Sequence, residues 1–79
     1  MLFGVRIVRG IPVSYHLVVE ERADGGFSFG ITIRRGKEEV FVPDITSKPT
    51  EICALLHRMV RGSVTPVTAK DVIEDWVLL

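Results

Sequence analysis

The sequence predicts an α+β domain: a three- or four-stranded antiparallel meander followed by two helices packed on one sheet face. Three observations predict it. Apolar and polar residues alternate from Val13 to Val42, the period of half-buried strands. After Pro43 the apolar residues recur at the three-and-four spacing of amphipathic helices. Glycine-bearing turns separate the alternating runs at spacings that hairpins use.

The elements follow in chain order. Residues 2–9 form a first strand, joined to the next by a bend at Gly10-Ile11-Pro12, with Phe3, Val5 and Ile7 expected inward. Residues 12–21 form a second, with Val13, Tyr15, Leu17 and Val19 on one face and Ser14, His16 and Glu20 on the other. Residues 27–35 form a third, with Phe27, Phe29, Ile31 and Ile33 inward. The inward residues of these two strands are odd-numbered, so their loop holds an odd number of residues. Ala23-Asp24-Gly25 and Asp24-Gly25-Gly26 both satisfy that, with glycine in the left-handed position. Residues 38–43 form the fourth strand. Pairing Ile33 with Val40 and Ile31 with Val42 leaves Gly36-Lys37 as a type II′ turn. The same register sets Arg34 opposite Glu39 and Arg35 opposite Glu38, two charge-matched pairs.

A helix over 48–61 carries the stripe Ile52, Leu55, Leu56, Met59 and Val60. Ser47 is its expected N-cap, Pro49 sits in the tolerant first turn, and Gly62 suits the position just past the end. Arg58 and Arg61 lie near its C-terminus, where the helix dipole favours cations. A second helix over 69–78 starts from Thr68 as cap, with Asp71 three residues on resembling a capping box. Its apolar face is Ala69, Val72, Ile73, Trp76 and Val77, and Lys70 with Glu74 forms an i, i+4 pair.

Composition narrows the function classes. The 79 residues make one small domain, and ten basic against ten acidic side chains give zero formal net charge. A neutral chain has no bulk electrostatic attraction to nucleic acid. One cysteine forms no internal disulfide, and 47% hydrophobic content is too apolar for a disordered chain. No apolar run reaches the ~18 residues of a membrane span. Arg6 and Arg9 interrupt the apolar start where a signal peptide would be continuous, so a cytoplasmic location is expected. Residues 1–37 hold six basic and three acidic side chains, and residues 38–79 hold four and seven, a dipolar layout.

No motif implies a cofactor or a metal. Cys53 and His57 are four apart on one helix, the opening of cysteine nucleophile chemistry, but no orienting glutamine or asparagine is evident, and a small apolar cysteine beside a surface histidine is the stronger reading. The two histidines and single cysteine lack zinc-ligand spacing. Gly25-Gly26-Phe27-Ser28-Phe29-Gly30 is no phosphate loop, since it joins strand to strand, and its rings continue a core face rather than an RNA-stacking one. Asp71, Glu74 and Asp75 form an acidic helix face. Trp76, Val77, Leu78 and Leu79 cannot all point into one helix layer, which makes Trp76, Leu78 and Leu79 candidate interface residues.

Tyr15-His16-Leu17-Val18-Val19-Glu20-Glu21, together with the run from Val64 to Trp76, resembles a family of short uncharacterised bacterial proteins, a domain of unknown function. The resemblance spans roughly residues 13–78 and implies no activity, cofactor or catalytic residue. The expectation is therefore a non-enzymatic interaction or regulatory module. It would bind another chain, or a second copy, through an apolar patch near the C-terminal helix or through a sheet edge. Val13 to Glu21 is that edge if the first strand does not pair. Arg6, Arg9, Arg34 and Arg35 are the residues that would meet an acidic partner surface. The rival readings are a small enzyme using Cys53 and His57, and a nucleic-acid accessory protein using the N-terminal arginines.

Overall fold

The computed structural model describes residues 1–78. Four strands, β1 (Leu2–Val8), β2 (Ile11–Glu21), β3 (Phe27–Arg35) and β4 (Glu38–Thr46), form one antiparallel sheet in chain order. Two helices, α1 (Pro49–Arg61) and α2 (Pro66–Val77), cover one of its faces. Val13, Tyr15 and Leu17 from β2 and Ile31 and Ile33 from β3 meet Ile52, Leu55, Leu56 and Met59 from α1. Ala69 and Ile73 from α2 complete the buried core.

The two later hairpins take the expected registers. Arg22 N–H donates to the Gly26 carbonyl, so the first loop is Ala23-Asp24-Gly25, with Gly25 at φ 87°. Ile33 lies opposite Val40, Arg34 opposite Glu39 and Arg35 opposite Glu38, around Gly36 at φ 58°.

The first hairpin differs from expectation. β1 pairs through a two-residue turn, Arg9-Gly10, both residues left-handed at φ 51° and 77°, rather than through Gly10-Ile11-Pro12. Arg6 then lies opposite Val13 and Gly4 opposite Tyr15. A loop one residue shorter turns a strand over. Val5 and Ile7 therefore point away from the helices and are exposed. Only Phe3 remains inward, because a bulge between Leu2 and Gly4 shifts the register there. β1 covers β2 from Ile11 to Leu17, so of the expected edge only Val18 to Glu21 stays open, alongside the outer strands β1 and β4.

β4 continues past Pro43 to Thr46 through an irregularity in which Asp44 adopts φ 53°. The bent chain crosses β3 so closely that a Cβ on Gly30 would lie 2.4 Å from the Val42 carbonyl oxygen and 2.8 Å from Pro43 Cα. Gly30 has to be glycine for that reason. Ser28 and Thr32, which flank it on the same face, are buried.

The helix ends also move. α1 is capped by Lys48, not Ser47. Thr46 takes over the polar role, its hydroxyl accepting from Lys48 N–H at 3.2 Å and donating to Glu51 Oε1 at 2.6 Å. At the other end Gly62 stays right-handed and Ser63 takes the left-handed position, φ 50°. Ser63 N–H donates to the Val60 carbonyl and Val64 N–H to that of Met59, a Schellman closure. α2 begins at Pro66 with Thr65 as cap, three residues before the expected start, because proline is pre-organised for the first helical position. Thr68 lies inside the helix, which leaves Asp71 no capping box to complete. Among the described residues no ion pair joins Lys70 to Glu74.

Tyr15 is fully buried, and its hydroxyl donates to the Val64 carbonyl at 2.7 Å, tying the sheet centre to the α1–α2 connection. Burial raises its pKa above 10.0, and the nearby Arg6 charge opposes this more weakly. The folded state thus keeps the phenol proton where the unfolded chain has lost it. The resulting stability is complete below pH 10.0 and drains away as pH rises above it. Tyr15→Phe leaves the Val64 carbonyl unpaired and is expected to cost about 1–2 kcal/mol, lowering Tm by about 5–10 °C. Thermal melts across alkaline pH should show that difference shrinking above pH 10.0, with phenolate absorbance reporting the chain's single tyrosine. Gly30→Ala, measured by denaturant unfolding, is expected to cost about 1–3 kcal/mol or more through backbone overlap.

Candidate interaction surfaces

Three surfaces stand out once the core is assigned, and the first is the sheet face opposite the helices. β1 contributes Val5 and Ile7 there, exposed at 49% and 66%, with Leu2 at 58% beyond the bulge. Leu2, His16, Thr32 and Phe41 form one row across all four strands, and Val5, Ser14, Arg34 and Glu39 form the next. Phe41 is half-exposed. Arg34 Nε meets Glu39 Oε2 at 3.0 Å, so the charges in that row cancel. His16 Nε2 and Ser14 Oγ share a hydrogen bond of 2.9 Å. Partial burial lowers the pKa of His16, helped by the charges of Arg34 and the Met1 ammonium and opposed by Glu39. The imidazole is accordingly neutral at pH 7.

The second surface is a groove on the outside of the helix layer. Ala54, His57, Arg58 and Arg61 of α1 line it with Gly62, and Trp76 of α2 forms its wall. Its volume is about 640 Å³. Phe3 reaches up from β1 and meets the His57 ring edge-on at 4.9 Å, fixing one end of the groove.

The third lies at the end of α2, where Ile73, Glu74, Val77 and Leu78 line a small apolar hollow. Leu78 is 85% exposed. Val77, expected in the core, is exposed as well, because the sheet beneath is already covered by Ile73 and Ala69.

The sequence-predicted residues distribute over these surfaces unevenly. Trp76 packs half-buried against the core while lining the groove. Leu78 lies at the helix end, and Leu79 lies outside the described residues. Arg6 emerges on the helix side, where its Nε donates to Ser63 Oγ at 3.5 Å, and Arg9 sits in the tight turn. Arg34 and Arg35 are both engaged within the sheet, Arg35 with Glu38 at 3.6 Å, so neither is free for an acidic partner. Cys53 is half-buried against the core, and no hydrogen bond links it to His57, whose ring packs on Phe3 instead. Among the described residues no group of three or more His, Cys, Asp or Glu could hold a metal ion. Among them, too, no helix is long and apolar enough to cross a membrane.

Sequence reasoning missed Val5, Ile7 and the groove. Val5 and Ile7 were hidden by the turn length. The groove carries a local signal, Ala54, Arg58 and Arg61 on one helical face, but its wall comes from a different helix.

No curated protein and no solved structure matches this chain. The model of a family of unknown function, DUF6514, matches residues 3–79, from β1 through α2, and the chain belongs to that family.

Proposed function

We propose that the protein is a non-enzymatic interaction module that pairs with a second copy of itself through the uncovered sheet face. The observation that carries this reading is the outward placement of Leu2, Val5, Ile7 and Phe41 on the face that lacks helices. An antiparallel sheet with one wet face normally alternates polar residues outward. β1 does the reverse at its middle, turning Arg6 to the helix side and Val5 and Ile7 outward.

The two outer strands argue for face packing over strand addition. β1 carries a bulge and an arginine, and β4 carries Pro43 and the left-handed Asp44. Such features blunt an edge against pairing. The face also suits a copy of itself, since the Arg34–Glu39 pair is neutral and presents no net like charge to its image. Four strands of seven to eleven residues offer roughly 20 by 25 Å, enough for about 800 Å² per partner once side-chain relief is counted. The accessible surface, 5190 Å², exceeds the roughly 4,800 Å² of a typical monomer of 8.8 kDa. A single free cysteine fits a reducing cytoplasm.

Sedimentation across a concentration series should show a monomer–dimer equilibrium. Ile7→Glu is expected to raise the dimer dissociation constant roughly tenfold or more, about 1.4 kcal/mol, with Tm little changed. Leu78→Asp should leave it unaltered. A strict monomer at millimolar concentration, or weakening by Leu78→Asp alone, overturns this reading.

The pH dependence has a definite sign. A group whose pKa is lowered in the folded protein resists protonation there, and burial in an interface resists it further. The dimer is therefore expected to keep its full affinity at 6.5, the ordinary histidine value, and above, and to weaken as pH falls through the lower value of the folded monomer. His16→Gln should remove that dependence in the same sedimentation series.

A further inference from the structure

The groove between α1 and α2 lies on the opposite side of the molecule from the uncovered sheet face, and pairing of sheets leaves it open. Its chemistry is unlike that of the rest of the surface. Arg58 and Arg61 stand one helical turn apart, His57 stands beside them, and no carboxylate lines the groove. Among the described residues neither arginine makes an ion pair, whereas Arg22, Arg34 and Arg35 all do. Asp75 lines the adjoining depression with Arg58, yet no ion pair joins the two.

The remaining parts are apolar and small. Ala54 and Gly62 leave the floor low, and the half-buried indole of Trp76 walls one side. Tryptophan and arginine together are the residue types that dominate binding energy at protein interfaces. The groove is shallow, and every lining residue except Trp76 is exposed, which suits an extended or helical segment better than an enclosed small molecule.

We propose that this groove docks an acidic segment of a partner protein, its carboxylates on Arg58 and Arg61 and an apolar side chain against Trp76. Guanidinium forks match carboxylates in pairs, and the indole face accepts an apolar or aromatic neighbour. The site is independent of self-association, so a dimer carries two such grooves.

Trp76 is the only tryptophan, so its emission reports the groove directly. The probe is a synthetic amphipathic peptide with glutamates spaced around a leucine, titrated at low salt, beside a control with lysines in place of the glutamates. The acidic peptide is expected to shift Trp76 emission saturably, and the lysine peptide to leave it unchanged. The double variant R58E/R61E should weaken binding at least tenfold. Ala54→Phe, which fills the floor without altering charge, should weaken it comparably while the far-ultraviolet circular dichroism is retained. Added salt should weaken the wild type and have little effect on residual binding by the double variant. Equal binding by R58E/R61E, or no response to the acidic peptide at low salt, overturns the proposal. So does tighter binding of inorganic phosphate or adenosine monophosphate, which would make the groove a small-anion site. Emission that changes on dilution without peptide, and ceases to do so in Asp71→Lys, overturns it in favour of the second copy's acidic helix.

Discussion

The Tyr15 hydroxyl and the Val64 carbonyl are where the sheet, the first helix and the second helix meet. Tyr15 occupies the middle of β2, opposite Gly4 on one side and Ile33 on the other, and is completely buried. A buried phenol needs a partner for its proton, and a carbonyl just past a helix end needs a donor. One bond at 2.7 Å meets both needs and sets how far the α1–α2 connection stands from the sheet. The Schellman closure around Ser63 delivers Val64 to that place, and Pro66 starts the next helix two residues later. Gly4 allows the approach, since a Cβ there would press on Val60 at 3.2 Å.

With the helices anchored on one face, the other face is defined by what β1 places there. The Arg9-Gly10 turn has two residues, so β1 presents Val5 and Ile7 outward beside Ser14 and His16. The uncovered face then has an apolar flank at β1, a polar centre of small hydrogen-bonding groups, and Phe41 on the far side. The helix layer divides differently, with bare guanidiniums on α1 and carboxylates on α2. The two faces thus present distinct chemistry, one apolar and near neutral, the other split between a basic, aromatic groove and an acidic helix.

Three of the corrected sequence expectations share a physical cause. Among the described residues, three other than glycine adopt the left-handed region: Arg9, Asp44 and Ser63. Each sits where a sequence reading goes astray. Arg9 shortens the first turn and inverts β1, Asp44 carries β4 beyond Pro43, and Ser63 takes the position that Gly62 would be expected to fill. Such conformations cost about 1–2 kcal/mol for an ordinary residue. Local sequence preference cannot announce them, because strand pairing and helix docking elsewhere offset the cost. The groove escapes for a related reason. Arg58 and Arg61 are visible as a helix-end pair, but that they lack carboxylate partners and face Trp76 depends on how α1 lies against α2.

What the sequence by itself determined is the part governed by local periodicity. It sets the alternation of β2 and β3, the registers around Ala23-Asp24-Gly25 and Gly36-Lys37, the inward stripe of α1, and the in-sheet pairing of Arg34 with Glu39 and Arg35 with Glu38. Parity and the 3.6-residue repeat act within a few residues, so neighbours along the chain suffice to express them. Tertiary structure alone decided which face β1 shows, where β4 ends, where both helices begin, and which arginines are left uncompensated. Those outcomes depend on contacts between segments far apart in the chain, above all the bond from Tyr15 to Val64, and long-range packing overrides local preference wherever the two compete.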